Sequence, residues 1–344
     1  MATTDPKDKV DTVEVSPTGQ AMVIPSTSPT PRTERWRWVK MMLANRKALV
    51  GFVIIGVFIL MAIFAPIIAP GDPNAFVGPP NQPPSRQYIL GTNGQGADMF
   101  AQLVWGARTS LGIAFAVGIV TTLIGIVIGM TAGYVGGRVD DILSMLMNIV
   151  LIIPGLPLLV VLATFLPPGP LTIVLVLAAT GWPWGARVLR SQTLSLREKD
   201  FVAAAIVSGE SAPRIIFREI LPNMTSIVVA GFFGSVTYAI GAEAGLEFLG
   251  LGNVSTVTWG TILFWAQNNA GLLTGAWWTF VPAGLAIALV AFAFSLINYA
   301  VDEITNPRLR AEREGSHVLR KHKIPFSRAT PVLRAKQESA AGGR

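Results

Sequence analysis

SLGIAFAVGIVTTLIGIVIGMTA, residues 110–132, runs for 23 residues without a charged side chain. A helix needs about 20 such residues to cross roughly 30 Å of hydrocarbon, so this stretch reads as a membrane span. Five more apolar runs lie on either side of it. They are 48–68, closed by Pro66 and Pro70; 142–165, interrupted by Pro154, Gly155 and Pro157; 171–188; 227–249; and 278–301. Composition agrees, because only 14% of residues are charged and 51% are hydrophobic, whereas soluble domains carry about 25% charged residues. The expected fold is an all-α polytopic membrane protein with about six transmembrane helices.

The net charge of +7 does not point to nucleic acid, because of where the charge sits. Arg32, Arg35, Arg37, Lys40, Arg46 and Lys47 precede the first run. Arg197, Lys199, Arg214 and Arg218 lie between the fourth and fifth, with Arg187 and Arg190 just before them, and Arg308, Arg310 and Arg313 follow the last. The segment 69–109 holds only Arg86 and Arg108. Under the positive-inside rule this places both termini and residues 190–224 in the cytoplasm. Trp36, Trp38, Trp182 and Trp184 then fall toward the inner interface, and Trp259, Trp265, Trp277 and Trp278 toward the outer one; some of these rings could equally fill gaps between helices. The first apolar run starts too late for a cleaved signal peptide.

Four segments follow from this reading. Residues 1–45 are a basic, disordered cytoplasmic tail rich in Ser, Thr and Pro. Residues 46–109 are the first span plus an extracytoplasmic segment, 110–305 the main transmembrane domain, and 306–344 a cytoplasmic tail. There is no cysteine, and both histidines, His317 and His322, lie in the last tail, so neither a disulfide framework nor a buried metal site is expected.

Residues 200–223, DFVAAAIVSGESAPRIIFREILPN, are too apolar for a solvated loop and too short for a span. Phe201 to Ser208 reads as a short helix of small and apolar residues, Gly209 supplies a left-handed residue to end it, and Ser211 and Pro213 suit the start of a second helix, which Pro222 stops. Such an apolar knob docks either on a partner or on the protein's own helix ends. No GxxxxGK[ST] phosphate loop occurs in the chain, so ATP-driven transport would need a separate ATPase.

This stretch resembles the cytoplasmic EAA loop in permease subunits of binding-protein-dependent ABC importers. Ala203, Ala204, Ala205, Gly209, Leu221 and Pro222 hold the pattern's spacing, with Ala203 where the family has Glu and Glu219 where it has Ile. Further matches are to the dipeptide/oligopeptide C-type branch. They are Leu90-Gly91-Thr92 with Asn93 in place of Asp, Gly106-Ala107-Arg108-Thr109-Ser110-Leu111, Phe248-Leu249-Gly250-Leu251-Gly252, and Asn306-Pro307-Arg308-Leu309-Arg310. The resemblance implies a type I importer bundle in which Ala203, Ala204, Ala205, Gly209, Glu210, Ser211, Leu221 and Pro222 engage an ATPase. It further implies a second homologous permease subunit, two cytoplasmic ATPase subunits that carry the ATP and Mg, and an extracytoplasmic solute-binding protein. The chain itself would bind no cofactor and catalyse no reaction. Short peptides are the expected cargo, with oligosaccharides the second class.

Three features remain open at this stage. Glu243 and Glu247 lie four apart, on one face of the fifth span. Intramembrane carboxyls of this kind serve proton coupling, solute contact or structure; in the first case the chain would be a stand-alone ion-coupled carrier. Pro154 and Gly155 break the third span, which suits either a solute pathway or a packing kink. Gly125, Gly129 and Gly133 form a stripe for close approach of a neighbouring helix.

Overall fold

The computed structural model describes residues 13–15, 21–23 and 45–305. The expectations for the tails, including Trp36, Trp38, His317, His322 and the 306–310 motif, fall outside the described residues. Two short strands, β1 (Val13–Val15) and β2 (Ala21–Val23), pair antiparallel. The membrane part, residues 45–305, is all-α as expected.

Residues 45–305 form a helical bundle. The first span is α1 (Arg46–Ile63), followed by a short turn of helix, α2 (Ala65–Ile68). The break falls where Pro66, lacking an N–H, cannot continue the ladder. The second span, α3 (Met99–Val135), starts well before the apolar run at 110. Its first residues are drawn into the helix by Asp98, whose carboxylate accepts the Phe100 N–H at 3.0 Å as an N-cap. At 37 residues it is about 55 Å long, far more than a bilayer's hydrocarbon requires.

The third run divides into α4 (Gly137–Ile152) and α5 (Gly155–Thr164), bent 89° at Ile153–Pro154. The fourth is α6 (Pro170–Arg197), which accommodates Pro183 and continues past the expected end. Trp182 and Trp184 consequently sit near the middle of α6 rather than at its inner end. Trp182 is buried against Met147 and Ala186, while Trp184 is exposed.

After the short helices at 200–223 come α10 (Thr225–Phe248), α11 (Trp259–Asn268), a 3-10 turn at Trp277–Thr279, and α12 (Val281–Thr305). Among the described residues five helices are long and apolar enough to cross a membrane, or six when the bent α4–α5 pair is counted as one span.

The central helix is α3, and its packing on α6 is set by glycine. A Cβ placed at Gly129 would lie 2.3 Å from the Ala186 carbonyl oxygen, and one at Gly133 would lie 2.7 Å from the Arg190 carbonyl. The glycine stripe is a helix–helix seam. Polar ties lock the same pair of helices to α4. Asp140, in the first turn of α4, takes a two-pronged ion pair from Arg190 of α6 at 2.5 and 2.6 Å, and the Ser144 hydroxyl at 3.0 Å. Arg187 reaches the Asn148 side chain at 2.5 Å, and Arg197 donates to the carbonyls of Gly133 and Tyr134 at 3.4 Å each.

Candidate functional site

Two places in the bundle carry most of the residues singled out above, the 200–224 segment and the carboxyl pair on α10. A third is a cavity between α3, α6, α10 and α12.

The first is a helix–turn–helix. Helix α7 (Asp200–Val207) ends at Gly209, whose φ is +79°. The Gly209 N–H returns to the Ile206 carbonyl at 3.0 Å and the Glu210 N–H to the Ala205 carbonyl at 3.1 Å. These are the paired bonds of a Schellman motif, which needs a left-handed residue at this position. Helix α8 (Ala212–Arg214) follows, and Glu210 pairs with Arg214 at 2.8 Å across its start. Ser211 occupies the N-cap position by backbone conformation, but its side chain makes no capping bond.

Pro222 does not stop this second helix. The chain passes through a π-helical turn, Ile215–Ile220, into α9 (Leu221–Asn223), and breaks only at Met224. In the π turn the Leu221 N–H bonds to the Ile216 carbonyl, one residue farther back than in an α-helix. This rearrangement lets the chain absorb the proline without ending the helix.

The segment has two faces. Val202, Ile215, Ile216 and Ile220 are buried on Ile126 and Met130 of α3 and Leu189 of α6. Opposite them, Ala203, Ala204 and Ser208 are exposed, with Ile206 at 55% and Val207 at 89% of full exposure. Docking on the protein's own helix ends and an apolar face left open therefore coexist. Ala205, Glu210 and Leu221 are partly buried between the two faces, and Pro222 is exposed.

The second place brings two of the matched motifs, 106–111 through Ser110 and 248–252 through Gly252, to one buried node. Glu243 and Glu247 are 0% and 2% exposed. Ser110, from the stretch opening the second apolar run, donates its hydroxyl to Glu243 Oε1 at 2.9 Å and accepts the Trp259 N–H at 3.1 Å. Thr258 donates its hydroxyl to Glu247 Oε2, while also capping α11 by accepting the Thr261 N–H at 3.0 Å. The Glu247 side chain is seated between two glycines, because a Cβ at Gly252 or Gly260 would approach it to 2.8 Å. Trp259, fully buried, closes the node against Phe58 and donates to the Leu103 carbonyl at 3.1 Å. Glu243 Oε2 meets no donor among the described residues. Neither carboxyl lines the cavities described below. The pair ties α10 to α3 and α11.

The matched stretch at 90–93 is likewise structural. Asn93 Oδ1 accepts the N–H groups of Gln95 and Ala97 at 2.9 Å each, and its Nδ2 donates to Gln102 at 3.2 Å. Trp278 donates to the Thr92 carbonyl at 3.1 Å, so this loop is pinned to the start of α12.

The third place was not foreseen from the sequence. A cavity of about 790 Å³ opens between α3, α6, α10 and α12. It is mostly apolar, with Thr122, Thr180, Ser235, Tyr238 and Asn298 as its polar wall, and no charged side chain lines it. A second space of about 490 Å³ adjoins α5 and α10 and shares Tyr238; Gly155 lines it and Pro154 does not.

The sequence matches the family described as "binding-protein-dependent transport system inner membrane component" over residues 125–311. It also matches "N-terminal TM domain of oligopeptide transport permease C" over residues 34–84. The chain belongs to the first of these families and is a membrane permease subunit of an ABC importer. Among its relatives is the oligopeptide transport system permease protein OppC of Bacillus subtilis (strain 168), 34% identical over 78% of this chain and 87% of that protein. The dipeptide transport system permease protein DppC of the same organism is 32% identical over 80% of this chain and 86% of its own length. A solved structure of the MetNI methionine ABC transporter in inward-facing conformations aligns with a TM-score of 0.48 at 20% identity, covering 62% of this chain and 97% of that one.

Proposed function

We propose that this chain forms half of the translocation path of a peptide importer and receives its drive through residues 200–224. Peptide as the cargo class follows the names of the relatives, OppC and DppC. The structural observation that carries the reading is a shared wall. Leu189, Ile227 and Val228 pack in the apolar cluster under the 200–224 segment and also line the large cavity. A push on the exposed face of α7 is therefore transmitted by contact to the walls of the cavity.

In this reading the exposed face around Ala203, Ala204, Ile206 and Val207 seats in a groove of a cytoplasmic ATPase, and both termini are cytoplasmic. Gly209 sets the angle between the two short helices, the Glu210–Arg214 pair braces it, and Leu221 and Pro222 carry the motion toward α10. ATP and Mg reside on two ATPase subunits. A solute-binding protein delivers cargo at the opposite end, where residues 69–98 and the α11 region lie. Only 17% of the most apolar window of α10 is buried within this chain, against 44% for α3. The remaining face of α10, with Tyr238 and the glycines beside it, suits a second homologous permease subunit, so that the path runs between the two. Segments 46–109, 110–305 and 306–344 then act as outer brace, path and cytoplasmic tail. Glu243 and Glu247 act as a structural tie, since they face neither cavity, and this replaces the ion-coupled alternative.

The test is affinity capture of the tagged chain in mild detergent with identification of what accompanies it, repeated with Val207→Asp. Recovery of two ATPases and a second permease, with the ATPases lost in the variant, supports the reading. A homo-oligomer without an ATPase contradicts it.

A further inference from the structure

Arg108 belongs to the matched stretch 106–111, yet neither the coupling segment nor the buried carboxyl node uses it. Its side chain is exposed and enters no ion pair or hydrogen bond among the described residues. The guanidinium lies 5.6 Å from the centre of the Trp105 ring, and that ring is fixed by its N–H, donated to the Ala69 carbonyl at 2.9 Å. Arg108 stands two residues before the uncharged run that opens at Ser110, so its charge falls where headgroups meet hydrocarbon. Helical side chains lean toward the helix N-terminus, which carries this one back toward Trp105 and the headgroup level. A cation at such a depth is costly without a counter-charge. A groove of about 380 Å³ begins beside it, between α1 and α3. Ile59, Ala62 and Ile63 of α1 and Gly112 and Phe115 of α3 line it, with Arg108 as its polar lining residue. Gly112 lies four residues past Arg108, on the same face, and a Cβ there would meet nothing within 4 Å. The groove thus runs from the guanidinium toward the membrane interior.

We propose that this groove holds an anionic phospholipid, with its phosphate on Arg108 and one acyl chain between α1 and α3. A guanidinium meets a phosphate with two parallel charge-assisted hydrogen bonds, which supplies the counter-charge that the protein withholds. An anionic headgroup leaves a neutral pair, whereas a zwitterionic one brings a second cation beside the first. The aliphatic and aromatic lining matches an acyl chain and offers a polar cargo no partner. A helix of another subunit is too bulky for the groove: one turn, 10 Å across and 5.4 Å long, fills about 420 Å³, more than the groove's 380 Å³. The groove also shares no residue with the large cavity or with the space at Tyr238, so it is separate from the α10 face assigned to a second permease. Only 22% of the most apolar window of α1 is buried within the chain. A lipid wedged along α1 adds contact between this loosely held helix and the central α3.

The experiment uses the full chain in its native assembly, reconstituted into phosphatidylcholine vesicles that carry a trace of photoactivatable lipid. The probes are phosphatidylglycerol and diacylglycerol with the same diazirine-bearing acyl chain, so that they differ in the headgroup alone. After illumination, adducts on residues 59–63 and 111–115 are counted by mass spectrometry. They are referred to adducts on Leu123 and Val127, exposed apolar residues farther along α3. In the unaltered chain phosphatidylglycerol should label the groove about fivefold more than diacylglycerol, the size expected for one basic contact to an anionic headgroup. Arg108→Gln should bring that preference close to one, and Arg108→Lys should keep part of it. Gly112→Leu fills the groove from open space and should remove the preference with Arg108 still in place. Should the variants fail to assemble, the two probes on the unaltered chain decide the matter alone. Equal labelling by both probes, or a preference that survives Arg108→Gln or Gly112→Leu, overturns the site. So does a groove that takes no lipid while Gly112→Cys, carrying a thiol-directed crosslinker, captures another protein chain. The readout involves neither cargo nor ATP, so its failure leaves the proposed import function standing.

Discussion

Gly209→Val isolates the coupling turn from the rest of the bundle. Gly209 has φ +79° and closes the α7 Schellman motif, yet a Cβ built there meets nothing within 4 Å. The penalty is therefore purely conformational. A left-handed L-residue costs about 1–2 kcal/mol, and a β-branched one lies at or above the upper end of that range. An energy of that size shifts the population of the native turn by about 5- to 30-fold. It falls on the turn alone, because Val202, Ile215, Ile216 and Ile220 hold the segment to α3 and α6 independently of it. Membrane insertion and thermal stability of the bundle should stay near wild type. Uptake per ATP hydrolysed, measured with the reconstituted importer, should fall severalfold. Gly209→Asn, which tolerates the left-handed region, should recover most of the loss. Full coupling in the valine variant, or equal loss in the valine and asparagine variants, would refute the argument that the angle at this turn transmits the stroke.

Three further outcomes follow from the packing. Gly129→Val should destabilise the bundle by about 1–3 kcal/mol in detergent thermal unfolding, because its Cβ would lie 2.3 Å from the Ala186 carbonyl; Gly185→Ala, facing open space, should be near neutral. Glu247→Gln should be tolerated, since a carboxamide keeps an acceptor for Thr258 and brings a donor beside the unpaired Glu243 oxygen, whereas Glu247→Ala should lower stability by about 1–3 kcal/mol in the same assay. Asp140→Asn should loosen α4 from α6 at a cost of about 1–2 kcal/mol, the lower part of the range for hydrogen bonds to charged groups, discounted because Arg190 retains 30% side-chain exposure. Exchanging the two residues, Asp140→Arg with Arg190→Asp, should restore part of that loss.

The spans were readable because an uncharged run long enough to cross a membrane is a strong local signal, and the break at Pro154–Gly155 because proline removes a backbone donor. The glycine stripe on α3 was readable as a face, and its partner, α6, only from the structure. The extension of α3 back to Met99 was missed because Arg108 interrupts the apolar pattern, while the stabilising cap at Asp98 is a single residue. The apolar run at 171–188 marked only part of α6, because the charged residues after it continue the helix to Arg197. The continued helix through Pro222 depends on a π turn that leaves no periodic trace in the sequence. Ser110, Glu243 and Thr258 are distant in the chain, so their convergence had no local signal at all. The same holds for the cavity, since Thr122 and Asn298 are ordinary polar residues until packing buries them together.

The docking of the exposed α7 face on an ATPase is tested most directly by a single cysteine at Val207. The chain has no cysteine of its own, so Val207→Cys provides a unique attachment point for a short thiol-directed photocrosslinker, with buried Val202→Cys as the control. In membranes containing the assembled importer, the adduct at 207 should join this chain to the ATPase subunit, and the one at 202 should not. Labelling at 207 that captures only lipid or the permease subunits themselves would contradict the coupling role of residues 200–224.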